Sequence, residues 1–201
     1  MNSTDFEITN KMSLENTLNL PSIENCTICV IGLGYVGLPL AIEFSKVKNC
    51  LRSGKPLERK IIGFDLNEKR IEELKLGLDI TKETDEKDLK QLNSIIFTSN
   101  LDSISEADVY IISVPTPIDK DKNPDLNFLE KATSSVGKVL KNKELSCSPI
   151  IIYESTVFPG TTEEICVPIL ESKSSLKYNK EFYCGYSPER INPGDKEHRL
   201  T

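Results

Sequence analysis

The residues of this 201-residue chain with the clearest chemical purpose are three glycines, in the run Gly32-Leu-Gly34-Tyr-Val-Gly37. A G-x-G-x-x-G run says little alone. Between a buried strand and a helix it describes a turn that receives a dinucleotide. Gly32 would permit the tight turn, Gly34 would let backbone approach a pyrophosphate, and Gly37 would let helix pack close on strand. The free N–H groups at the start of that helix would then hold the phosphates. A glycine-rich turn with no ligand is the alternative reading.

Asp65 ends the next apolar run, where a carboxylate accepts hydrogen bonds from the hydroxyls of an adenosine ribose. It would repel a 2′-phosphate, which favours NAD over NADP. Its distance from the glycines exceeds the usual interval of about 20 residues, and the polar loop from Lys48 to Arg59 accounts for the excess. Arg70 points the other way, because an arginine nearby can accommodate a 2′-phosphate. On balance the residues read as an NAD site, with a simple strand-end cap as the alternative role for Asp65.

The elements needed to position these groups are legible as alternating patterns. Cys26–Ile31 is a continuous apolar run of strand length, the mark of a parallel strand buried on both faces. After the glycines, Leu38–Lys46 reads as a helix with Leu40, Ala41 and Phe44 inward. Lys60–Asp65 reads as a second strand and 67–75 as a helix, with Asn67 as N-cap and Ile71 and Leu74 inward. Ser94–Ser99, Ala107–Val114, Pro149–Tyr153 and Phe182–Tyr186 read as further strands. Leu126–Lys141 and Thr161–Leu170 read as helices, and Phe128, Leu129, Ala132, Val136, Val139 and Leu140 give the first of these its apolar spacing. Strand and helix alternate throughout, which predicts an α/β fold with a Rossmann-like, doubly wound parallel sheet. Residues 1–25 show no strong periodicity and read as a flexible leader, with the dinucleotide-binding domain expected over 26–201.

Composition narrows the partners. The net charge is −6, and the lysines are scattered among acidic residues. No basic stripe is available to neutralise a phosphate backbone, so nucleic acid is not an expected partner. No apolar run approaches the roughly 18 residues of a membrane span, and the polar N-terminus has no signal-peptide core. The expected setting is the cytoplasm, away from membranes. The six cysteines have no framework spacing, as suits a reducing compartment. Cys26 and Cys29 have C-x-x-C spacing, but strand alternation turns their side chains differently and no second pair completes a zinc site. No metal is expected. His198, in a charged tail, reads as solvated, as does the charged run from Lys82 to Lys90.

The run from Gly32 to Leu40 is accompanied by Val114-Pro-Thr-Pro117, Glu154-Ser-Thr-Val157, Pro159-Gly160 and Tyr186-Ser-Pro-Glu-Arg190. Together, and in this order, these segments resemble the UDP-glucose/GDP-mannose 6-dehydrogenase family from Cys26 to Thr201. The form of Pro188 to Gly194 is similar to the branch acting on UDP-N-acetylglucosamine or UDP-N-acetylgalactosamine in bacterial polysaccharide synthesis. The resemblance implies a two-step, NAD-dependent oxidation of a sugar 6-alcohol to a carboxylate, through thiohemiacetal and thioester stages on a cysteine. It places the amides of Tyr35 and Val36 on the pyrophosphate, Asp65 and Arg70 at the adenosine end, and Thr116 near the middle of the cofactor. It places Thr156 near the nicotinamide, helping to position a catalytic water. Glu189 would handle that water and its proton, and a hydroxyl with a carboxylate is what thioester hydrolysis needs. Arg190 would contact the substrate. Taken alone, Ser-Pro-Glu-Arg suits a turn with a surface ion pair equally well. Pro193 stands where UDP-glucose enzymes carry a second glutamate, which argues against UDP-glucose as substrate.

The family's nucleophilic cysteine lies in a glycine-rich motif that none of the six cysteines here occupies. The central helical region and the UDP-binding domain of the family are also unmatched. The chain therefore reads as part of a longer, homodimeric dehydrogenase, expected to bind dinucleotide without turning substrate over. A non-catalytic NAD-binding module is the alternative. A hydroxyacid dehydrogenase fits less well, given Glu154-Ser-Thr-Val157 and Ser187-Pro-Glu-Arg190.

Overall fold

The computed structural model describes residues 19–81, 84, 89, 93–118, 120–121 and 123–188. Its centre is a parallel sheet of β1 (Thr27–Ile31), β2 (Lys60–Phe64), β3 (Ile95–Thr98), β4 (Val109–Ile112), β5 (Ile150–Tyr153) and β6 (Tyr183–Tyr186). The spatial order is β3-β2-β1-β4-β5-β6, and every neighbouring pair is parallel. This is the Rossmann order, in which the chain moves outward from β1 in one direction, returns, and continues in the other. Each expected strand is present, shorter by a residue or more at its ends.

The strands read as unbroken apolar runs because both faces of the sheet are covered. Alternation sends Cys29, Ile31, Ile62, Phe64, Tyr110, Ile112, Ile151 and Tyr153 into one core. It sends Ile28, Val30, Ile61 and Ile111 into the other. Cys26 also belongs to the second core, so Cys26 and Cys29 lie on opposite sides of the sheet and cannot share a ligand. Helices α1 (Gly37–Lys46) and α2 (Glu68–Lys75) cover the second face. Helices α3 (Asn127–Lys141) and α4 (Val167–Ser174) cover the first.

Several local expectations shift. In α1 the buried side is Leu38, Ala41, Ile42 and Ser45, whereas Leu40 and Phe44 are only partly covered. Ser45 tolerates burial because its hydroxyl donates to the Ile42 carbonyl at 2.7 Å. Phe128, counted among the inward residues of α3, is 50% exposed. Its neighbour Leu129, in the same turn, is fully buried, so Phe128 is turned off the inward face of the helix. The segment Thr161–Cys166 is a π-helical turn that runs into α4, and the helix continues to Ser174. A short 3₁₀ turn at Leu101–Ile104 had no periodic signal. Asn67 does cap α2, accepting from the Arg70 amide.

Residues 19–25, expected to belong to the leader, are tied to the body. Asn19 exchanges bonds with the 146–148 loop, and the Ile23 carbonyl accepts from Arg59. Residues 1–18 and 189–201 lie outside the described residues, as does most of the Lys82–Lys90 run.

Helices α3 and α4 approach most closely at Gly137, where an added Cβ would stand 2.6 Å from the Lys173 Cβ. Gly137→Ala should force the two helices apart and lower the unfolding free energy by about 1–3 kcal/mol. A urea titration of the two proteins checks this, and equal midpoints would refute it.

Candidate functional site

The carboxyl-terminal ends of β1, β4 and β5 open into a cavity of about 420 Å³. It lies where the strand order reverses, the place at which open α/β sheets bind ligands. Gly32, Gly34, Tyr35 and Val36 line it from the first turn, Asp65 from the end of β2, and Ser113–Pro117 and Glu154–Thr156 from the loops after β4 and β5.

The three glycines have three distinct duties. Gly32 has φ +90°, and a Cβ there would sit 3.0 Å from the Ser113 carbonyl oxygen. Gly34 has nothing within 4 Å of an added Cβ, so the chain is bare where it borders the cavity. Gly37 has no room at all, because a Cβ would fall 1.9 Å from the Gly32 carbonyl oxygen and 2.3 Å from Ser113 Oγ. Gly37 does not line the cavity. It lets α1 start against β1.

Hydrogen bonds stitch the three loops together. Ser113 Oγ donates to the Gly32 carbonyl at 2.9 Å, and Ser155 Oγ donates to the Val114 carbonyl at 2.7 Å. Thr116 Oγ1 donates to the Thr156 carbonyl at 2.6 Å, which joins the loop after β4 to the loop after β5. Asp65 accepts from the Leu33 amide at 2.8 Å through Oδ2 and from the Asn67 amide at 2.9 Å through Oδ1. Its carboxylate thus organises two turns, and each oxygen retains a further lone pair beside the cavity.

Arg70, expected at the adenosine end, is bonded within the protein interior in this structure. It does not line the cavity, and its side chain is only 6% exposed. Nη2 donates to Asp79 Oδ1 at 2.8 Å, and Nε donates to the Leu33 carbonyl at 3.0 Å. Burial alone would push the Asp79 carboxyl up. The Thr81 hydroxyl and the Arg70 guanidinium outweigh that and leave it below its ordinary value. No sequence pattern announces this pair, since Asp79 lies beyond the end of α2. Glu189 and Arg190 fall outside the described residues. Ser113, Val114, Pro115, Pro117, Glu154 and Ser155 were not singled out one by one, although the Val-Pro-Thr-Pro and Glu-Ser-Thr-Val segments contain most of them.

The arrangement suits a dinucleotide. Among the described residues no lysine or arginine lines the cavity. A pyrophosphate placed there would meet backbone amides and the turn that leads into α1. The amides of Gly34, Tyr35 and Val36 have no acceptor among the described residues, and the bare Gly34 leaves the space a phosphate needs.

Residues 26–200 match the family model described as "UDP-glucose/GDP-mannose dehydrogenase family, NAD binding domain". The chain belongs to this family. Its cofactor is NAD, which the site chemistry fits. The chain is 51% identical over 179 residues to the UDP-N-acetyl-D-glucosamine 6-dehydrogenase of Pseudomonas aeruginosa, covering 89% of this chain and 39% of that one. It is 40% identical over 178 residues to the UDP-N-acetyl-D-mannosamine dehydrogenase of Methanocaldococcus jannaschii, covering 83% and 35%. Among solved structures, the GDP-mannose dehydrogenase of Pseudomonas aeruginosa, a ternary complex, superposes with a TM-score of 0.70. That match is 26% identical and covers 83% of this chain and 36% of that chain. The UDP-D-ManNAc dehydrogenase of Pyrococcus horikoshii gives 0.69 at 32% identity, over 84% and 37%. The chain thus spans less than two fifths of the length of these relatives.

Two sets of outcomes follow from the site, the first from substitutions at the glycines. Gly34→Val should melt at the same temperature as the unsubstituted chain yet fail to bind NAD, because its side chain fills open space. Gly37→Ala should lose folded structure, seen as lost far-ultraviolet ellipticity at 25 °C or a greatly lowered melting point. The second concerns pH. Asp79 has its folded pKa below the ordinary 3.8, so its contribution is complete above that value and disappears as pH falls through the lower folded one. The unfolding free energies of the unsubstituted chain and Asp79→Asn should therefore converge as acid is added below 3.8. Urea midpoints measured across that range decide it, and a constant gap would count against the role of the carboxylate.

Proposed function

We propose that this chain forms the NAD site of a longer nucleotide-sugar 6-dehydrogenase acting on a UDP-N-acetylhexosamine. The observation that carries this reading is the convergence of the glycine turn, Asp65, Thr116 and Thr156 on one cavity. It is joined by an identity of 51% and 52% to two UDP-N-acetyl-D-glucosamine 6-dehydrogenases. The reaction converts the sugar 6-hydroxymethyl group and one water to a carboxylate, with two NAD reduced. NAD, when bound, takes up the two electrons of each oxidation step.

The residues have separate tasks in this reading. The amides of Tyr35 and Val36 bind the pyrophosphate, and Asp65 accepts from the adenosine ribose. Thr116 supports the middle of the cofactor, while Thr156 lies near the nicotinamide and orients the hydrolytic water. Glu189 takes the proton of that water and Arg190 contacts the substrate. The domain runs from residue 26 to 201. In this reading the longer protein is a cytoplasmic homodimer. Among the described residues no helix is long and apolar enough to cross a membrane.

The covalent step needs a thiolate from outside this chain. None of its six cysteines lines the cavity. Burial pushes Cys29 and Cys166 up. Burial, with Cys166 and Glu163 nearby, pushes Cys184 up to about 12, so these thiols stay protonated and inert. The chain alone binds cofactor and does not oxidise sugar.

Calorimetric titration with NAD and NADP tests the reading. NAD should bind, with NADP weaker by roughly tenfold, about 1.4 kcal/mol, because Asp65 repels the 2′-phosphate. Asp65→Asn should narrow that ratio. A chain that binds neither dinucleotide overturns the proposal.

A further inference from the structure

Ser113 follows directly on β4, is 8% exposed, and belongs to none of the sequence motifs. Its hydroxyl reaches two carbonyls of the neighbouring strand end, Ile31 at 3.1 Å and Gly32 at 2.9 Å. These carbonyls differ in their other partners. Ile31 already accepts from the Ser113 amide at 2.9 Å. No backbone amide among the described residues donates to the Gly32 carbonyl, so the hydroxyl serves Gly32. The fit is close, since Ser113 Oγ stands 2.3 Å from the point where a Cβ at position 37 would begin.

The Gly32 carbonyl shares a peptide with the Leu33 N–H, which donates to Asp65 Oδ2 at 2.8 Å. In a trans peptide these two groups point in opposite directions. The Ser113 hydroxyl, the peptide and the Asp65 carboxylate therefore form one chain of hydrogen bonds across the ends of β4, β1 and β2, which are neighbours in the sheet. A donor on the carbonyl polarises the peptide and makes its N–H a better donor, so the two bonds strengthen each other. Asp65 Oδ1 accepts from the Asn67 amide at 2.9 Å, but that bond is local to its own turn. Among the described residues, the Leu33 bond is the one that ties the carboxylate to the glycine turn.

We propose that Ser113 is a positioning residue of the cofactor site, which holds the Asp65 carboxylate in place for the adenosine ribose by fixing the Gly32–Leu33 peptide. This rests on the NAD reading above and adds to it a residue from the far side of the glycine turn. The hydroxyl acts through the backbone. Its effect is confined to ligands that offer Asp65 a ribose hydroxyl, which separates it from a direct contact with the cofactor and from a contribution to stability alone.

Calorimetric titration with NAD and with its 2′-deoxyadenosine analogue reads the grip of Asp65 on the ribose as a ratio of affinities. In the unsubstituted chain NAD should bind about tenfold more tightly than the analogue, the equivalent of one hydrogen bond to a charged group. Ser113→Ala should reduce that ratio to about threefold and should speed hydrogen exchange of the Leu33 amide in the ligand-free chain. In an Asp65→Asn background the serine substitution should leave the ratio where Asp65→Asn alone puts it, because its effect passes through the carboxylate. An unchanged ratio in Ser113→Ala overturns the proposal. With both ligands weakened alike, the hydroxyl touches the cofactor directly; with only the melting temperature lowered, its role is structural. A ratio near one in the unsubstituted chain overturns it as well. Should Ser113→Ala be unfolded at room temperature, the ratio is read in trimethylamine N-oxide, which strengthens effective burial. A variant still unfolded there marks a hydroxyl needed for folding alone and sinks the idea. If the unsubstituted chain binds neither ligand, the NAD reading falls. The Leu33 exchange rates then still decide whether Ser113 fixes the peptide, and equal rates overturn it.

Discussion

The start of α1 must touch the end of β1, and most of the molecule is arranged around that contact. The Gly32 carbonyl and Ser113 Oγ occupy the volume where any side chain at position 37 would begin. Because they do, α1 starts directly behind Gly34, Tyr35 and Val36, the part of the turn that lines the cavity. A helix displaced by even the width of a methyl group would carry its positive end away from the reversal of strand order. The loops after β4 and β5 then close over the same point through the Ser113, Thr116 and Ser155 hydroxyls. Small polar side chains serve here because each can bond a neighbouring carbonyl without filling the space a ligand needs.

Among the described residues the cavity has no lysine or arginine, and anion recognition by backbone would carry a cost and a benefit. Backbone amides and a helix end are weaker partners for a pyrophosphate than lysine or arginine. They are also fixed in direction, and they impose no positive charge that would draw a second phosphate. The carboxylates of Asp65 and Glu154 border the same cavity, so its electrostatic character favours a ligand with a ribose diol over one with an additional phosphate. Arg70, the nearest guanidinium in the sequence, is neutralised by Asp79 within the protein interior.

The cysteines illustrate how burial decides chemistry. Cys29 and Cys166 are fully covered, and their thiols behave as small apolar groups filling the sheet core. Cys26 and Cys29, three residues apart, are separated by the sheet itself. A spacing that reads as a metal motif in a loop has no such meaning along a strand, where alternate side chains point to opposite faces.

Local pattern was enough to specify the succession of strands and helices along the chain, the glycine turn and the strand-end carboxylate. These depend on local periodicity and on residues whose conformational demands are short-range. Apolar runs such as Thr27–Ile31 and Ile150–Tyr153 read as doubly covered strands, and the alternation implied a parallel sheet before any contact was known. The place of Arg70, by contrast, is set by long-range packing. Its position beside Asp65 suggested a cofactor contact, but its partner Asp79 is brought to it by the turn after α2, a contact no periodicity encodes. The same holds for the inward side of α1 and for the exposure of Phe128. Both depend on which face a helix turns to the sheet, and therefore on packing between segments distant in the chain.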